Sequence, residues 1–192
     1  MKKILAIAAF VLALAGCTSP DDATAPATAP AAGEGIHVVH QQGELTLEAV
    51  PGRVIVQDIA VLDILDALGV EAVIGVPSAG VPDYLQQYRS DAYLKTGTLQ
   101  EPDYETIAAA APDLVIVASR SRTALPELSA IAPTIDLSVD NDSLVEGVKQ
   151  NIATLGRIFG KEARAAELSA ELDARFAALR DRSADAGTAM VL

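Results

Sequence analysis

TGTLQEPDYETIAAAAPDLVIVASRSR, residues 96–122, carries the alternation on which the fold class rests. It predicts a short strand over Thr96–Leu99, a helix over Tyr104–Ala111, a Pro112-Asp113 turn, and a strand over Leu114–Ala118 that hands over to Arg120 and Arg122. The run LVIVA is short, β-rich and uncharged, the pattern of a parallel strand covered on both faces. Ligands of open α/β sheets gather at the carboxyl ends of such strands. Cations placed where a buried strand meets solvent therefore mark a candidate site for an anion.

On the amino-terminal side, Pro51-Gly52-Arg53 turns the chain into Val54-Ile55-Val56, and Gln57 and Asp58 follow. Val61, Leu62, Leu65 and Leu68 then fall at helical spacing up to Gly69, and Val70–Val76 reads as the next strand, ending at Pro77. So compact a β-α-β unit requires parallel strands and a right-handed crossover. Its loops, Gln57-Asp58 and Pro77–Pro82, open on the same rim as Arg120. Val81–Tyr88 predicts a short helix with Pro82 near its start, with Tyr84 and Tyr88 on one face packed against the sheet. Further upstream, His37–His40 and Glu44–Val50 alternate as a hairpin around Gln41-Gln42-Gly43. His37 and His40, three apart on a strand, point to opposite faces and read as surface residues rather than as a shared metal site.

On the carboxyl-terminal side come a helix over Leu125–Ile131, a small strand at Pro133-Thr134-Ile135 and an N-cap cluster, Asp140–Ser143. Leu144, Val148, Ile152, Leu155 and Phe159 then repeat at helical spacing to Gly160. A second helix, from Lys161 to Ala184, carries Leu168, Leu172, Phe176 and Leu179 along one stripe. With no proline in either, the expectation is a rigid, nearly continuous spine. Thr188–Leu192 reads as the start of a fresh buried strand with no sheet to join, hence as the first piece of a further lobe.

Residues 1–17, MKKILAIAAFVLALAGC, have two lysines, an apolar run too short for a comfortable membrane span, and a small-residue exit. That is a secretory signal, and Leu14-Ala15-Gly16-Cys17 resembles the bacterial lipobox, in which the cysteine becomes the lipidated terminus. Cys17 is the sole cysteine, so no disulfide can form within the chain. Pro20–Gly33, rich in Ala, Pro and Thr, is too poor in large apolar residues to offset its ordering entropy and reads as a tether. The net charge is −12, from 14 Lys and Arg against 26 Asp and Glu, and becomes −14 once Lys2 and Lys3 leave with the signal. So acidic a chain is a poor partner for nucleic acid. No G-x-S-x-G elbow, P-loop or G-x-G-x-x-G occurs, and the strand-end loops lack a His/Asp/Glu cluster at metal-ligand spacing, so neither an enzyme nor a direct metal receptor is expected.

The segments PGRVIVQDIAVLDILDALGV, GVPSAGVPDYLQQY, TGTLQEPDYETIAAAAPDLVIVASRSR, ELSAIAPTIDL and NDSLVEGVKQNIATLGRIFG together resemble the helical-backbone class of bacterial substrate-binding proteins that serve iron-siderophore and cobalamin ABC importers. The resemblance spans Gly43–Leu192. LDILDALG and ASRSRTALPELSAIAPT are most similar to the branch that binds ferric catecholates of the enterobactin and petrobactin kind. It implies an α/β fold: the parallel-sheet amino-terminal lobe of a bilobal protein, followed by a long backbone helix. The implied divisions are a signal at 1–17, a linker at 18–35, a ligand-binding lobe at 36–140, an interlobe helical spine at 141–186 and the first strand of a second lobe at 187–192.

By the same resemblance, Arg120 matches the first-lobe arginine that touches the siderophore, while Gln57, Asp58, Pro77 and Ser121 share its rim. Arg122 has no counterpart and reads as solvated. Glu105 matches the glutamate that pairs with an arginine of the membrane permease. The implied partners are a ferric siderophore, a permease with its ATPase, and a membrane reached through the lipid at Cys17, on the extracytoplasmic face of the envelope. No cofactor is implied beyond the iron chelate carried as cargo. Cobalamin or haem as the ligand, or an envelope interaction module without transport, are the alternatives.

Overall fold

The computed structural model describes residues 35–183. The signal segment, Cys17, all but the last residue of the linker and the Thr188–Leu192 strand lie outside the described residues.

The strands are β1 (Ile36–His40), β2 (Gly43–Leu47), β3 (Val54–Val56), β4 (Val73–Val76), β5 (Leu94–Lys95), β6 (Leu114–Val117) and β7 (Thr134–Asp136). The helices are α1 (Ile59–Ala67), α2 (Tyr104–Ala109), α3 (Leu125–Ser129), α4 (Leu144–Ile158) and α5 (Glu162–Ser183), and tighter 3₁₀ turns cover Asp83–Arg89 and Ser119–Ala124. β1 and β2 form an antiparallel hairpin. The other five build one parallel sheet in the order β5-β4-β3-β6-β7.

Alternation along the strands assigns the two faces of that sheet. Val54, Val56, Leu114, Ile116 and Ile135 share a core with Leu62 and Leu65 of α1, Ile152, Leu155 and Ile158 of α4, and Val38 and Leu47 of the hairpin. Ile55, Val115 and Val117 face the opposite way, against Ile107 of α2 and Leu128 of α3. Helices on both faces leave the central strands no solvated side. LVIVA and VIV are accordingly apolar at every position, each fully buried side chain contributing about 1.5–3 kcal/mol. At the amino ends of β3 and β6, the Asp113 carboxylate accepts from the Gly52 and Arg53 amides, both at 2.9 Å, and Arg53 donates to the Ala110 and Ala111 carbonyls at the end of α2.

Several local expectations are corrected. β4 begins at Val73 rather than Val70, because the Gly69 and Val70 amides close the end of α1 on the Asp66 and Leu65 carbonyls, with Gly69 at φ 68°. β5 lies at Leu94–Lys95 rather than Thr96–Leu99. Gly97 turns the chain at φ 87°, and a Cβ there would stand 2.4 Å from the Glu101 carbonyl oxygen, so no other residue fits. Tyr84 and Tyr88 do not share a face, because Leu85 breaks the turn with φ −111° and ψ 23°. Tyr84 is 67% exposed, whereas Tyr88 is buried against Tyr93 and donates to Asp66 Oδ1 at 3.0 Å. Burial and the Asp66 carboxylate together raise the pKa of its phenol.

The largest correction concerns the near-continuity expected of the two helices after Ser143. α4 and α5 are not continuous but fold back on each other as a hairpin. Gly160 takes φ 63°, and the Lys161 amide reaches the Gly156 carbonyl at 2.7 Å, the reversal that a left-handed residue after a helix produces. Lys149 meets Asp173 at 2.9 Å, and a Cβ on Gly156 would sit 2.6 Å from the Ala165 methyl, so the helices cross in close contact where glycine permits it. Absence of proline does not make two helices one when a glycine can reverse the chain between them.

Candidate functional site

The strand order places the candidate site. From β3 the chain moves outward through β4 to β5, then returns to the other side of β3 for β6 and β7. The direction of winding reverses between β3 and β6, so their connecting loops leave in opposite directions and open a crevice at the carboxyl ends of these two strands. Gln57-Asp58 leaves β3 and Ala118–Arg122 leaves β6. Four of the five ligand-site expectations, Gln57, Asp58, Arg120 and Ser121, therefore lie on neighbouring exits, and Pro77 is buried one strand further along, at the end of β4.

Their exposures differ sharply. Arg120 and Arg122 are exposed. Ser121 is buried, with its hydroxyl donating to the Ala118 carbonyl at 3.0 Å and accepting from the Ala118 amide at 3.1 Å. It therefore fastens the turn to the strand end. Gln57 is fully buried, its amide nitrogen donating to the Thr96 carbonyl at 2.6 Å, and its Oε1 has no hydrogen-bond donor among the described residues. It ties the β3 exit to the segment after β5.

Asp58 caps α1, Oδ1 accepting from the Ala60 and Val61 amides at 2.8 and 3.1 Å. Burial pushes its pKa above the ordinary aspartate value of 3.8; the Val61 and Ala60 amides and the Arg120 guanidinium oppose the rise, and Asp136 adds to it. Asp58 and Arg120 are thus close enough to feel each other across the crevice.

The sequence reading missed the far wall. Asp136, at the carboxyl end of β7, is 1% exposed. Its Oδ1 accepts from the Ser138 amide at 2.8 Å and hydroxyl at 2.5 Å, and its Oδ2 from Gln42 Nε2 at 2.9 Å. The same Gln42 nitrogen donates to the Arg122 carbonyl at 2.9 Å. Asp-x-Ser after a strand is an Asx-type turn, and that pattern was the available signal. Gln41, Gln42, Arg122, Asp136 and Asn141 wall a cavity of about 670 Å3 beside the arginine turn, so Arg122 borders a concave surface. Burial lowers the pKa of His40, and the Asp136 carboxylate partly offsets this.

Glu105 is exposed in the first turn of α2, behind an Asp103 cap that accepts from the Thr106 amide and hydroxyl. Those hydrogen bonds hold the Asp103 pKa below the usual aspartate range. Among the described residues, no three His, Cys, Asp or Glu side chains gather closely enough to hold a metal ion, and no helix is long and apolar enough to cross a membrane.

Residues 54–192 match the periplasmic binding protein family. The petrobactin-binding protein YclQ of Bacillus subtilis is 39% identical over 124 residues, which are 64% of this chain and 39% of YclQ. Among solved structures, the siderophore binding protein BauB, bound to two acinetobactin molecules and ferric iron, superposes with a TM-score of 0.75 at 32% identity, over 79% of this chain and 55% of BauB. The periplasmic catecholate-siderophore binding protein VctP of Vibrio cholerae gives 0.70 at 36% identity, over 78% of this chain and 54% of VctP. The chain thus spans between two fifths and just over half of the length of these relatives.

Asparagine caps a helix about as well as aspartate but has no charge to bury. Asp58→Asn is therefore expected to leave stability at neutral pH unchanged or to raise it by up to about 1 kcal/mol. Folded Asp58 keeps its proton to higher pH than the unfolded chain does. Between 3.8 and the raised value the folded state binds more protons, so this group's contribution to stability falls as pH rises through that window. Urea unfolding from about pH 4 to about pH 7 checks this, the advantage of Asp58→Asn shrinking toward acid. A variant clearly less stable than wild type at neutral pH would contradict it.

Proposed function

The chain belongs to the periplasmic binding protein family, and on that premise we propose that it captures a ferric siderophore of the catecholate type outside the cytoplasm and delivers it to an ABC importer. The observation that carries this reading is Arg120, an exposed guanidinium at the β3–β6 crevice of a protein whose net charge is −12. The names of the relatives, petrobactin-binding and catecholate-siderophore binding, support the ligand class.

The chemistry suits the cargo. A ferric tris-catecholate is an anion with flat aromatic rings. A guanidinium meets it with N–H donors directed at the oxygens and with a planar face that stacks on a ring. No bond is made or broken, so the protein's task is to hold, release and dock. Two of the acidic neighbours cost the anion little. The Asp58 carboxylate is turned inward on two backbone amides at a helix start, where the macrodipole favours it, and its burial favours the neutral form. Asp136 is buried under three hydrogen bonds. In this reading α4 and α5 lead toward a second lobe that closes over the ligand, Glu105 docks on a permease arginine, and Cys17 carries the lipid that keeps the protein at the membrane.

Titrating the protein with a ferric catecholate, with tyrosine fluorescence as the readout, tests the ligand class. Arg120→Ala is expected to weaken binding by about 1.5–3 kcal/mol, tenfold or more, without moving the melting temperature, because the side chain is solvated. Response to cobalamin with silence toward catecholates would overturn the assignment. Glu105→Arg should bind as wild type yet fail to support siderophore uptake in cells, and undiminished uptake would remove the docking role. Cys17→Ser should move the protein from the membrane to the soluble fraction, whereas continued membrane retention would exclude lipidation there.

A further inference from the structure

The turn that carries Arg120 is under strain and held from outside. Ser119, the second residue after β6, lies at φ 47°, in the left-handed region that costs a non-glycine residue about 1–3 kcal/mol. Such a conformation persists only where the surroundings over-determine it. Within the turn, Ser121 ties the strand end to itself through Ala118. From outside, the Ser119 amide donates to Ser138 Oγ at 2.8 Å, and that hydroxyl donates to Asp136 Oδ1 at 2.5 Å. Gln42 Nε2 bridges the other oxygen, Asp136 Oδ2, to the Arg122 carbonyl, 2.9 Å to each. The Gln41 amide also donates to the Asp136 carbonyl at 3.0 Å, seating the β1–β2 hairpin on the end of β7.

One buried carboxylate thus grips both sides of Arg120, one residue before it and two residues after it. We propose that Asp136 is a positioning residue for the ligand site, fixing the direction of the Arg120 guanidinium through Ser138 and Gln42. The inference rests on the reading of Arg120 as the cation that meets the chelate. The chemistry leaves little room for substitution. Both oxygens of Asp136 act as acceptors, so an amide of the same shape must place its NH2 against either Ser138 or Gln42 and turn one branch from attraction to repulsion. The hairpin, which contributes no strand to the parallel sheet, acquires a role in recognition through Gln42.

The test uses the full chain and two readouts. In Asp136→Asn, hydrogen exchange of the Ser119–Ala124 amides is expected to accelerate about tenfold or more while Val115–Val117 stay protected. Affinity for a ferric catecholate should fall about tenfold, alongside Arg120→Ala, which loses affinity without loosening the turn. Should Asp136→Asn fold poorly, the pair Ser138→Ala and Ser138→Thr asks the same question: removing the hydroxyl should loosen the turn and weaken binding, and threonine, which keeps it, should preserve both. Exchange at Ser119–Ala124 unchanged in both Asp136→Asn and Ser138→Ala would overturn the positioning role. A wild-type chain that ignores catecholates while Asp136→Asn still loosens the turn would refute the proposed ligand and leave the anchoring of the turn standing.

Discussion

Parallel pairing of Val54–Val56 with Leu114–Ile116 is the constraint on which the rest depends. The two strands lie far apart in sequence, and the units wound from each spread away from their shared seam. Backbone hydrogen bonds across that seam continue past the strand end, the Gln57 amide reaching the Ile116 carbonyl at 2.8 Å. The two exits are therefore in fixed register when they leave the sheet. Asp58 and Arg120 leave the sheet on neighbouring exits because the ladder beneath them permits no slip: moving one residue along either strand would send every buried side chain to the opposite layer.

How well each part could be read in the sequence followed from the kind of interaction that forms it. The buried strands LVIV and VIV and the first βαβ unit announced themselves through apolar runs and helical spacing, since burial on two faces leaves a compositional trace. Strand ends were less legible. Val70 looks like strand and serves to close a helix, and Thr96 looks like strand and sits one residue before a turn that Gly97 imposes. Tyr84 and Tyr88 parted because a 3₁₀ turn with a break at Leu85 lacks the period assumed for them. The hairpin of α4 and α5 was hidden for a different reason. Helical spacing is local, and it reports nothing about the angle that one left-handed glycine sets between two helices.

The site divides in the same way. Arg120 was visible because a cation directly after a buried strand is unusual in so acidic a chain. Its partners were not, because Asp136, Ser138 and Gln42 come from separate elements and act through backbone groups of the turn. Ser121 and Gln57 lie on the exits where the sequence places them, and the structure gives both of them inward-facing hydrogen bonds. Gln57 links β3 to the chain after β5, and Ser121 closes the arginine turn on β6. Polar residues at a strand exit can thus build the rim instead of lining it, and burial separates the two cases.

Under the proposed function, an acidic protein has to keep its own carboxylates from repelling an anion, and the arrangement around Arg120 is compatible with that. Net charge acts over long distances and is screened within about 8–10 Å at ordinary ionic strength. What an anion at Arg120 would meet at contact range is local. There, Asp58 is drawn into a helix cap and Asp136 beneath three donors, so these two carboxylates are occupied by the protein's own N–H and O–H groups. Arg120 remains exposed, on a turn that Asp136 helps to hold through Ser138 and Gln42. Removing Asp136 would leave the turn without that anchorage, whereas Asp58 serves only the start of α1. Carboxylates next to an anion site are compatible with its function when they are buried, satisfied and employed in fixing the cation.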